Sequence, residues 1–283
     1  MLVVKTSEKK ITNSTVIENK SGWQPINFDE LWNYKDLFYF LIWRDIKTRY
    51  AQSILGIGWA IIQPVFSMIV FTIVFGNLAR INSDGVPYAI FSFTALVPWT
   101  YFSGALSSSS GSLLSASGMM TKVYFPRLVI PLSPALSKLV DFLIAFLILL
   151  IMMVYFKFYP SFRIIYLPLL ILLMIITASG MGMWLTAMAI QYRDINYAMG
   201  FIIQLLMYCA PVVYPASNVP ENYRTLYACF PMTGVIEGFR SILLKTNPIP
   251  WDLIVIGYVM AATVFISGMF FFRRTERYFA DVA

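Results

Sequence analysis

The chain has 283 residues, of which 59% are hydrophobic and only 12% are charged, whereas soluble domains average about 25% charged residues. This composition excludes an ordinary soluble globular protein. The chain has no histidine and two cysteines, which excludes histidine-based acid–base catalysis, histidine metal sites and a zinc site of four thiolates. Its net charge of +7 comes from 21 Lys and Arg residues against 14 Asp and Glu residues.

The first 27 residues predict a flexible cytoplasmic tail, because they are polar and lack the apolar stretch of a signal peptide. A helix is expected to begin after them. The Asn27 side chain can cap its first turn, and Glu30 stands three residues later, at the capping-box spacing.

The helix predicted for residues 28–50 carries aromatic side chains on one face and charged side chains on others. Trp32, Tyr39 and Trp43 recur at helical spacing, while Arg44 and its neighbours keep the remaining surface polar. Its apolar core is too short to span a bilayer. We therefore expect an amphipathic helix in the cytoplasmic membrane interface, with a helix of a soluble domain as the alternative.

Six long uncharged runs follow. A helix needs about 20 apolar residues to cross a bilayer, and the third run reaches that length only by extending through Leu139 and Val140 beyond Asp141. The sequence thus predicts an all-α polytopic membrane protein with about six transmembrane helices. The runs are residues 57–79, 85–121, 142–156, 164–192, 195–220 and 253–272.

Prolines and small residues mark the first two runs. Pro64 is expected to bend the first helix, either to shape a pathway or as a tolerated packing kink. The second run would reach about 50 Å as one helix, so we expect Pro98 to break it near the outer side. The small residues at 103–118 favour close helix packing, with a water-lined or sugar-lined wall as the alternative.

Between the second and third runs, residues 119–138 hold three cations, no anion and three prolines, which interrupt long helices. Such a segment suits docking to a soluble partner. An ordinary cytoplasmic loop that follows the positive-inside rule is the alternative. Asp141, just beyond the segment, is expected to pair with Lys138 one turn away rather than to relay protons. The three prolines are Pro126, Pro131 and Pro134.

The longest segment predicted on the outer side, residues 216–250, is divided by prolines into two short helical pieces, at 221–230 and 233–244. The second piece is too apolar to be exposed on all sides. We expect a re-entrant helical hairpin in the outer leaflet, where backbone groups must be hydrogen-bonded. Glu237 and Arg240, one turn apart, are expected to pair and to face protein or the exit path rather than lipid.

The positive charges predict the orientation. With six crossings and a cytoplasmic N-terminus, 15 of the 21 Lys and Arg residues fall on the cytoplasmic side. Both termini are therefore expected there, including residues 276–283. The net charge is explained by topology, and no basic run with interleaved aromatic residues predicts a nucleic-acid partner.

Six short motifs follow one another in the chain: WRDIKTRY at 43–50, GIGWAIIQP at 56–64, KVYFPR at 122–127, YRD at 192–194, PVVYP at 211–215 and GFR at 238–240. In this order they resemble the membrane subunits of type-2 ABC exporters. Within that group the chain is most similar to polysaccharide-export permeases of the O-antigen and teichoic-acid type. The likeness covers residues 28–275. One departure is Phe230 before Pro231, where similar permeases usually have asparagine.

This resemblance implies a homodimer with one pore between the copies and two separate ABC ATPase subunits. The chain has no P-loop motif, so the resemblance implies a permease subunit without enzymatic activity or a cofactor of its own, with ATP and Mg²⁺ on the ATPase. The outer hairpin, with Glu237 and Arg240, would gate the exit. The residues that the resemblance implies for ATPase coupling are Lys122, Tyr124, Phe125, Pro126 and Arg127.

The predicted function is export of a lipid-linked polysaccharide across the bacterial plasma (inner) membrane. Aromatic rings suit the path, because the C–H faces of sugars pack on them. The path candidates are Trp59, Phe66, Tyr208 and Tyr214, with a lipid-facing or interfacial belt as the alternative.

Two other functions remain as alternatives to polysaccharide export. One is an ABC exporter of drugs or small amphiphiles, with a narrower and more apolar path. The other is an integral-membrane enzyme acting on polyprenyl-linked sugars. Such an enzyme needs several charged groups converging near one membrane surface, and Asp141 and Asp194 are too few acids for it.

Overall fold

All regular secondary structure in the described part of the chain is helical, which confirms the predicted all-α class there. The predicted cap residues Asn27 and Glu30, and the coupling candidates Lys122 and Tyr124, lie outside the described residues. The computed structural model describes residues 32–51, 56–120, 125–159, 161–192 and 194–276.

Three of the described helices adjoin short segments of π-helix or 3-10 helix. A π-helical turn, Thr72–Leu78, continues α2, and 3-10 helices at Phe162–Tyr166 and Ala216–Asn218 come before α7 and α9. The α-helices are α1 (Lys35–Ala51), α2 (Gly58–Phe71), α3 (Tyr88–Ser110), α4 (Ser112–Met120), α5 (Val129–Ser137), α6 (Leu139–Tyr155), α7 (Leu167–Gln191), α8 (Asp194–Cys209), α9 (Glu221–Ala228), α10 (Pro231–Leu243) and α11 (Trp251–Thr275).

Five helical segments in the described residues are long and apolar enough to cross a membrane, so the polytopic fold is confirmed. The run at 195–220 differs from the other predicted crossings, because its helix α8 has 16 residues and is about 24 Å long. That is shorter than the about 30 Å of a hydrocarbon core. The five long segments are Gly58–Leu78, Tyr88–Ser110, Val129–Tyr155, Phe162–Gln191 and Trp251–Thr275.

Helix α3 forms the centre of the molecule. It packs against α2, α5, α6, α7, α8 and α10. Its side chains Phe91, Phe93 and Phe102 are fully buried, and Tyr101 donates a hydrogen bond of 2.9 Å to the Ala135 carbonyl of α5. Helix α3 is therefore buried among these neighbours, and α2 and α8 cover it from outside, with about half of their own residues exposed and one residue of each buried.

Helices α7 and α11 pack with their backbones nearly in contact. A Cβ atom placed on Gly180 would lie 2.8 Å from the Phe265 backbone, and one on Gly268 would lie 2.6 Å from the Gly180 carbonyl oxygen. Small residues permit this approach between helices in lipid, where dispersion contacts replace the hydrophobic effect. Trp184 then stacks on Phe271 with ring centroids 4.2 Å apart.

The structure corrects two expectations about proline. Helix α3 runs through Pro98 and ends at Ser110, before Gly111, so the predicted break at Pro98 is wrong. Burial of Pro98 and its neighbours on all sides holds the helix together despite the lost backbone donor. The small residues after it pack closely: Ser109 donates to the Pro131 carbonyl at 3.2 Å. Packing therefore accounts for Ser109, whereas Ser108, Ser112 and Ser115 line a polar cavity.

The second correction concerns the segment 119–138, which is not irregular throughout. Residues Val129–Ser137 form helix α5, with Pro131 in its first turn and Pro134 inside it. A proline in the first turn loses nothing, since that backbone N–H has no partner within the helix. Only Lys138 separates α5 from α6, so this part of the segment continues the third crossing.

Candidate functional site

The helical hairpin predicted for residues 216–250 exists, and its second helix is packed inside the protein; its position on the outer side stays a prediction. Helices α9 and α10 meet at Phe230, and Pro231 occupies the start of α10. Every residue of α10 is buried. The Glu237 Oε1 atom lies 2.9 Å from Arg240 Nη1, and these side chains are 10% and 1% exposed. The predicted pair is confirmed, and it faces protein.

Arg240 binds the turn that follows α8. It donates hydrogen bonds to the carbonyl of Val212 at 2.9 Å and to that of Tyr214 at 3.3 Å. Its guanidinium carbon lies 3.6 Å from the ring centroid of Phe91 on α3, a cation–π contact. Glu237 accepts a bond of 3.1 Å from the Ala216 backbone N–H. The ion pair thus fastens the turn at 210–216 to α3 and α10.

Tyrosine hydroxyls add a second set of bonds at the same end. Tyr227 donates to the Tyr214 hydroxyl at 3.3 Å, and Tyr214 donates to the Tyr208 carbonyl at 3.0 Å. Burial, reinforced by the bond to Tyr214, raises the pKa of Tyr227 far above its ordinary value. Tyr227 therefore remains a neutral donor at physiological pH. Tyr214, a predicted path residue, is held in this network.

The other three path candidates are exposed on two helices. Trp59 and Phe66 are 53% and 64% exposed on α2, and Tyr208 is 53% exposed on α8. Sequence reasoning missed Tyr197 and Phe201, which are also exposed on α8. Tyr197 and Phe201 precede Tyr208 by eleven and seven residues, which places them on the same helical face, and the sequence alone shows that spacing.

Helix α1 has the predicted exposed aromatic face. Trp32, just before the helix, and Tyr39 and Trp43 on it are all exposed. Leu41 is buried, and α1 packs along α5. Arg44 bonds the neighbouring Asp45, with 2.9 Å between Nη2 and Oδ1. The outward surface of α1 therefore carries these rings together with the exposed Lys35, Asp36 and Lys47, and its place in the membrane interface stays a prediction.

Asp141 connects α1 to α6. Its carboxylate lies 2.9 Å from Lys138 Nζ and 3.1 Å from Arg49 Nη1, and Tyr50 donates a hydrogen bond to it. Burial, with the bond to Asp141, raises the pKa of Tyr50 to about 12, so Tyr50 remains a donor. The predicted Lys138–Asp141 pair is confirmed. Arg49 and Tyr50 were missed, since no local spacing brings them near Asp141.

The described end of the predicted coupling segment faces its own chain. Phe125 is 4% exposed in an apolar cluster with Leu128 and Phe272. Arg127 Nη1 donates to the Glu276 carbonyl at 2.9 Å, and its Nε lies 3.7 Å from Glu276 Oε1. Pro126 is half-buried. Binding of an ATPase by these residues stays a prediction.

No group of three His, Cys, Asp or Glu side chains is placed to hold a metal ion in the residues that the structure describes. Three ion pairs in the described part of the chain join separate segments: Arg49 with Asp141, Arg224 with Asp252, and Arg127 with Glu276. The arrangement of Glu237 and Arg240 at one end, and of Asp141 and Arg127 at the other, is suited to holding helices in fixed relation.

The chain matches a transporter family and is similar to several export and transport proteins of bacteria. Residues 36–244 match the family described as ABC-2 type transporter. The chain is 25% identical to an O-antigen export system permease protein of Myxococcus xanthus, over 88% of this chain and 96% of that protein. A permease of the same description from Klebsiella pneumoniae is 24% identical over 87% and 95%. A polysialic acid transport protein of Escherichia coli is 21% identical over 72% and 80%.

Proposed function

The chain belongs to the ABC-2 type transporter family, and on that premise we propose that it is the membrane subunit of an exporter for a lipid-linked polysaccharide. The substrate would be an O-antigen or a similar cell-surface glycan, and the site of action the bacterial inner membrane. One observation carries the proposal: the chain aligns with an O-antigen export permease over 96% of that protein's length. The alignment also covers 88% of this chain.

The proposed assembly is a homodimer with two copies of an ABC ATPase, and both termini are cytoplasmic. Two features support it. The chain carries no P-loop motif, so ATP hydrolysis is assigned to another polypeptide. Helices α2 and α8 bury few of their side chains in a single copy, and a second copy would cover part of that surface.

The proposed path runs along exposed aromatic side chains. A hydrated glycan can pack its C–H faces on rings while its hydroxyl groups stay bonded to water. Trp59 and Phe66 on α2 and Tyr208 on α8 supply such rings, and Tyr214 holds the turn above them. Tyr197 and Phe201 extend the series on α8.

The proposed coupling begins at residues 122–127. Closure of the ATPase on ATP would press on this segment. The Arg127–Glu276 contact would pass the displacement to α11, and the Asp141 contacts would move α1 with α6. At the outer end, the turn at 210–216, held by Glu237 and Arg240, would open and close the exit.

A deletion strain tests the substrate. Loss of this protein should leave the glycan assembled but retained inside the cell on its lipid carrier, while surface glycan disappears. The measurement compares surface glycan with intracellular lipid-linked glycan, and a plasmid copy should restore the former. Normal surface glycan with altered drug sensitivity would contradict the proposal and would favour an exporter of small amphiphiles.

The path is tested in the same strain. Replacing Tyr208 and Tyr214 together with Ala should lower surface glycan several-fold more than it lowers the amount of protein. Tyr155→Ala is a matched control, because Tyr155 is 80% exposed at the end of α6 but lies on neither path helix. Equal loss of export in the control and the double variant would remove the path assignment.

A further inference from the structure

A polar, partly open cavity of about 290 Å³ lies between α1, the junction of α3 with α4, and α5. None of the roles proposed above uses it. Its walls include guanidinium, carboxylate and hydroxyl groups from three separate stretches of sequence. The polar lining residues that matter here are Arg44, Asp45, Thr48, Arg49, Ser108 and Ser115.

The cavity has a positive balance of charge. Arg44 and Arg49 supply two cations and Asp45 one anion, which leaves +1. Arg49 also contacts Asp141, but Lys138 pairs with that same carboxylate, so the balance is unchanged when both are included. The remaining positive charge is therefore available to an anion that enters the cavity.

Donors in the cavity are still free. Arg44 uses Nε and Nη2 on Asp45 Oδ1, at 3.2 and 2.9 Å. Its Nη1 makes no hydrogen bond within the described residues, and neither does the Ser108 hydroxyl. The Arg44 side chain is 34% exposed. A guanidinium group with open donors binds oxyanions such as phosphate in a defined geometry.

The location favours a membrane lipid as the source of the anion. The cavity is lined by α1, whose outward face carries Tyr39, Phe40 and Trp43, all more than half exposed. In a polytopic protein, amphipathic rings of this kind lie at the level of the lipid headgroups. A cavity on the same helix is then at the depth where lipid phosphates are found.

We propose that this cavity binds a phosphate group carried by a membrane lipid. A singly charged phosphodiester matches the +1 balance, and its oxygens accept from Arg44 and Ser108. A neutral sugar would leave the arginine charge unmatched. The inference does not depend on which molecule is exported, so it can fail or succeed separately from the proposed function.

Binding of short-chain lipids to the purified full-length protein in detergent tests the proposal. Phosphatidylglycerol should bind about tenfold more tightly than phosphatidylcholine of the same chain length, because only the former has a net negative charge. Arg44→Gln should weaken phosphatidylglycerol binding about tenfold. Arg224→Gln is the matched control, since Arg224 also pairs with an aspartate, at 2.9 Å, but on the surface near α11.

A second variant separates binding from folding. Ser108→Leu fills the cavity and removes no charge, so it should weaken phosphatidylglycerol binding about as much as Arg44→Gln does. The thermal unfolding midpoint is measured for each variant. Equal affinity for the two lipids, or equal loss in Arg44→Gln and Arg224→Gln, would overturn the proposal. Inorganic phosphate that binds as tightly as the lipid would overturn the assignment to a lipid.

Discussion

At the scale of single residues, charges tie together segments that are far apart in the sequence. The Asp141 carboxylate accepts hydrogen bonds from Arg49 and Tyr50 of α1, which lie more than 90 positions earlier in the sequence. Arg240 donates hydrogen bonds to the carbonyls of Tyr214 and Val212, which lie 26 and 28 residues before it in the sequence. Because a buried charge without its partner is strongly unfavourable, each of these contacts specifies one arrangement of helices.

The Glu237–Arg240 pair gives the largest expected stability effect. Arg240→Gln leaves the Glu237 carboxylate buried without its cation and removes the bonds to the 210–216 turn. The free energy of unfolding should fall by about 3–5 kcal/mol. Thermal unfolding of the purified protein in detergent measures this. Arg224→Gln, which breaks a half-exposed pair, should change stability by only about 0–1 kcal/mol.

Removing both charges of the Glu237–Arg240 pair should destabilise the protein less than removing Arg240 alone. Glu237→Gln with Arg240→Met removes both charges together, so it should recover part of the stability that Arg240→Gln loses. Recovery should be incomplete, because the Val212 and Tyr214 carbonyls still lack their donor. A double variant less stable than Arg240→Gln would show that the ion pair is not what stabilises this turn.

Arg127 can be assigned either to its own chain or to an ATPase. Arg127→Glu replaces a cation that lies 3.7 Å from Glu276 with a second carboxylate, so it should lower export of the glycan. Adding Glu276→Arg restores opposite charges within the chain. If the contact inside the permease matters, the double variant should regain most of the activity, measured as surface glycan per amount of protein.

Failure of that rescue, with normal protein levels, would mean that Arg127 acts on another subunit. Lys122→Glu is the companion variant, since Lys122 belongs to the predicted coupling residues. Loss of ATPase copurification in Lys122→Glu, but not in the double variant, would divide the segment into a partner-binding part and an internal part.

Local spacing determined which of these contacts could be predicted. Lys138 with Asp141 and Glu237 with Arg240 are three residues apart on helices, and both pairs were predicted. The contacts of Asp141 with Arg49, of Arg127 with Glu276 and of Arg240 with Val212 need the tertiary fold, because nothing in a single sequence states which helix ends meet.

At the scale of helices, close approach depends on glycine at a few positions. Helices α7 and α11 meet at Gly180 and Gly268, where an added Cβ would lie under 3 Å from backbone atoms. Backbone atoms cannot move aside as a flexible side chain can. This packing therefore tolerates no larger residue without separating the two helices.

Gly268→Ala should lower stability by about 1–3 kcal/mol, because the methyl group would meet the Gly180 carbonyl oxygen. Gly200→Ala on α8 is the matched control, since nothing lies within 4 Å of the added atom, and it should be neutral or slightly stabilising. Thermal unfolding midpoints of the two variants give the answer. Equal destabilisation in both would contradict the packing argument.

Helix boundaries followed from the sequence less well than helix existence. The apolar runs located the crossing helices and the α9–α10 hairpin, because burial in lipid or protein requires apolar faces. Pro98 and Pro134 do not mark helix ends. Both lie inside continuous helices, because packing on all sides compensates for the one backbone hydrogen bond that each proline removes. The break after α3 falls at Gly111 instead.

At the scale of the whole molecule, the short helix α8 decides the topology. The described residues hold five segments long enough to cross a membrane, and an odd number of crossings places the two ends of a chain on opposite sides. The prediction that both ends are cytoplasmic supposes six crossings, so it needs α8, with its 16 residues, to make the sixth. Without that crossing, 15 of the 21 Lys and Arg residues would still lie on the cytoplasmic side, so their number does not decide between the two topologies.

Labelling of single cysteines by an impermeant thiol reagent in intact cells tests this. Cys209 and Cys229 are first replaced by Ser. A cysteine at Asn218, just after α8, should react, while cysteines at Lys9 and Arg277 should react only after the membrane is opened. If α8 does not cross, position 218 becomes cytoplasmic and position 277 becomes external, so the two labels exchange. That exchange would place the Glu237–Arg240 hairpin on the cytoplasmic side and would remove its proposed role at the exit.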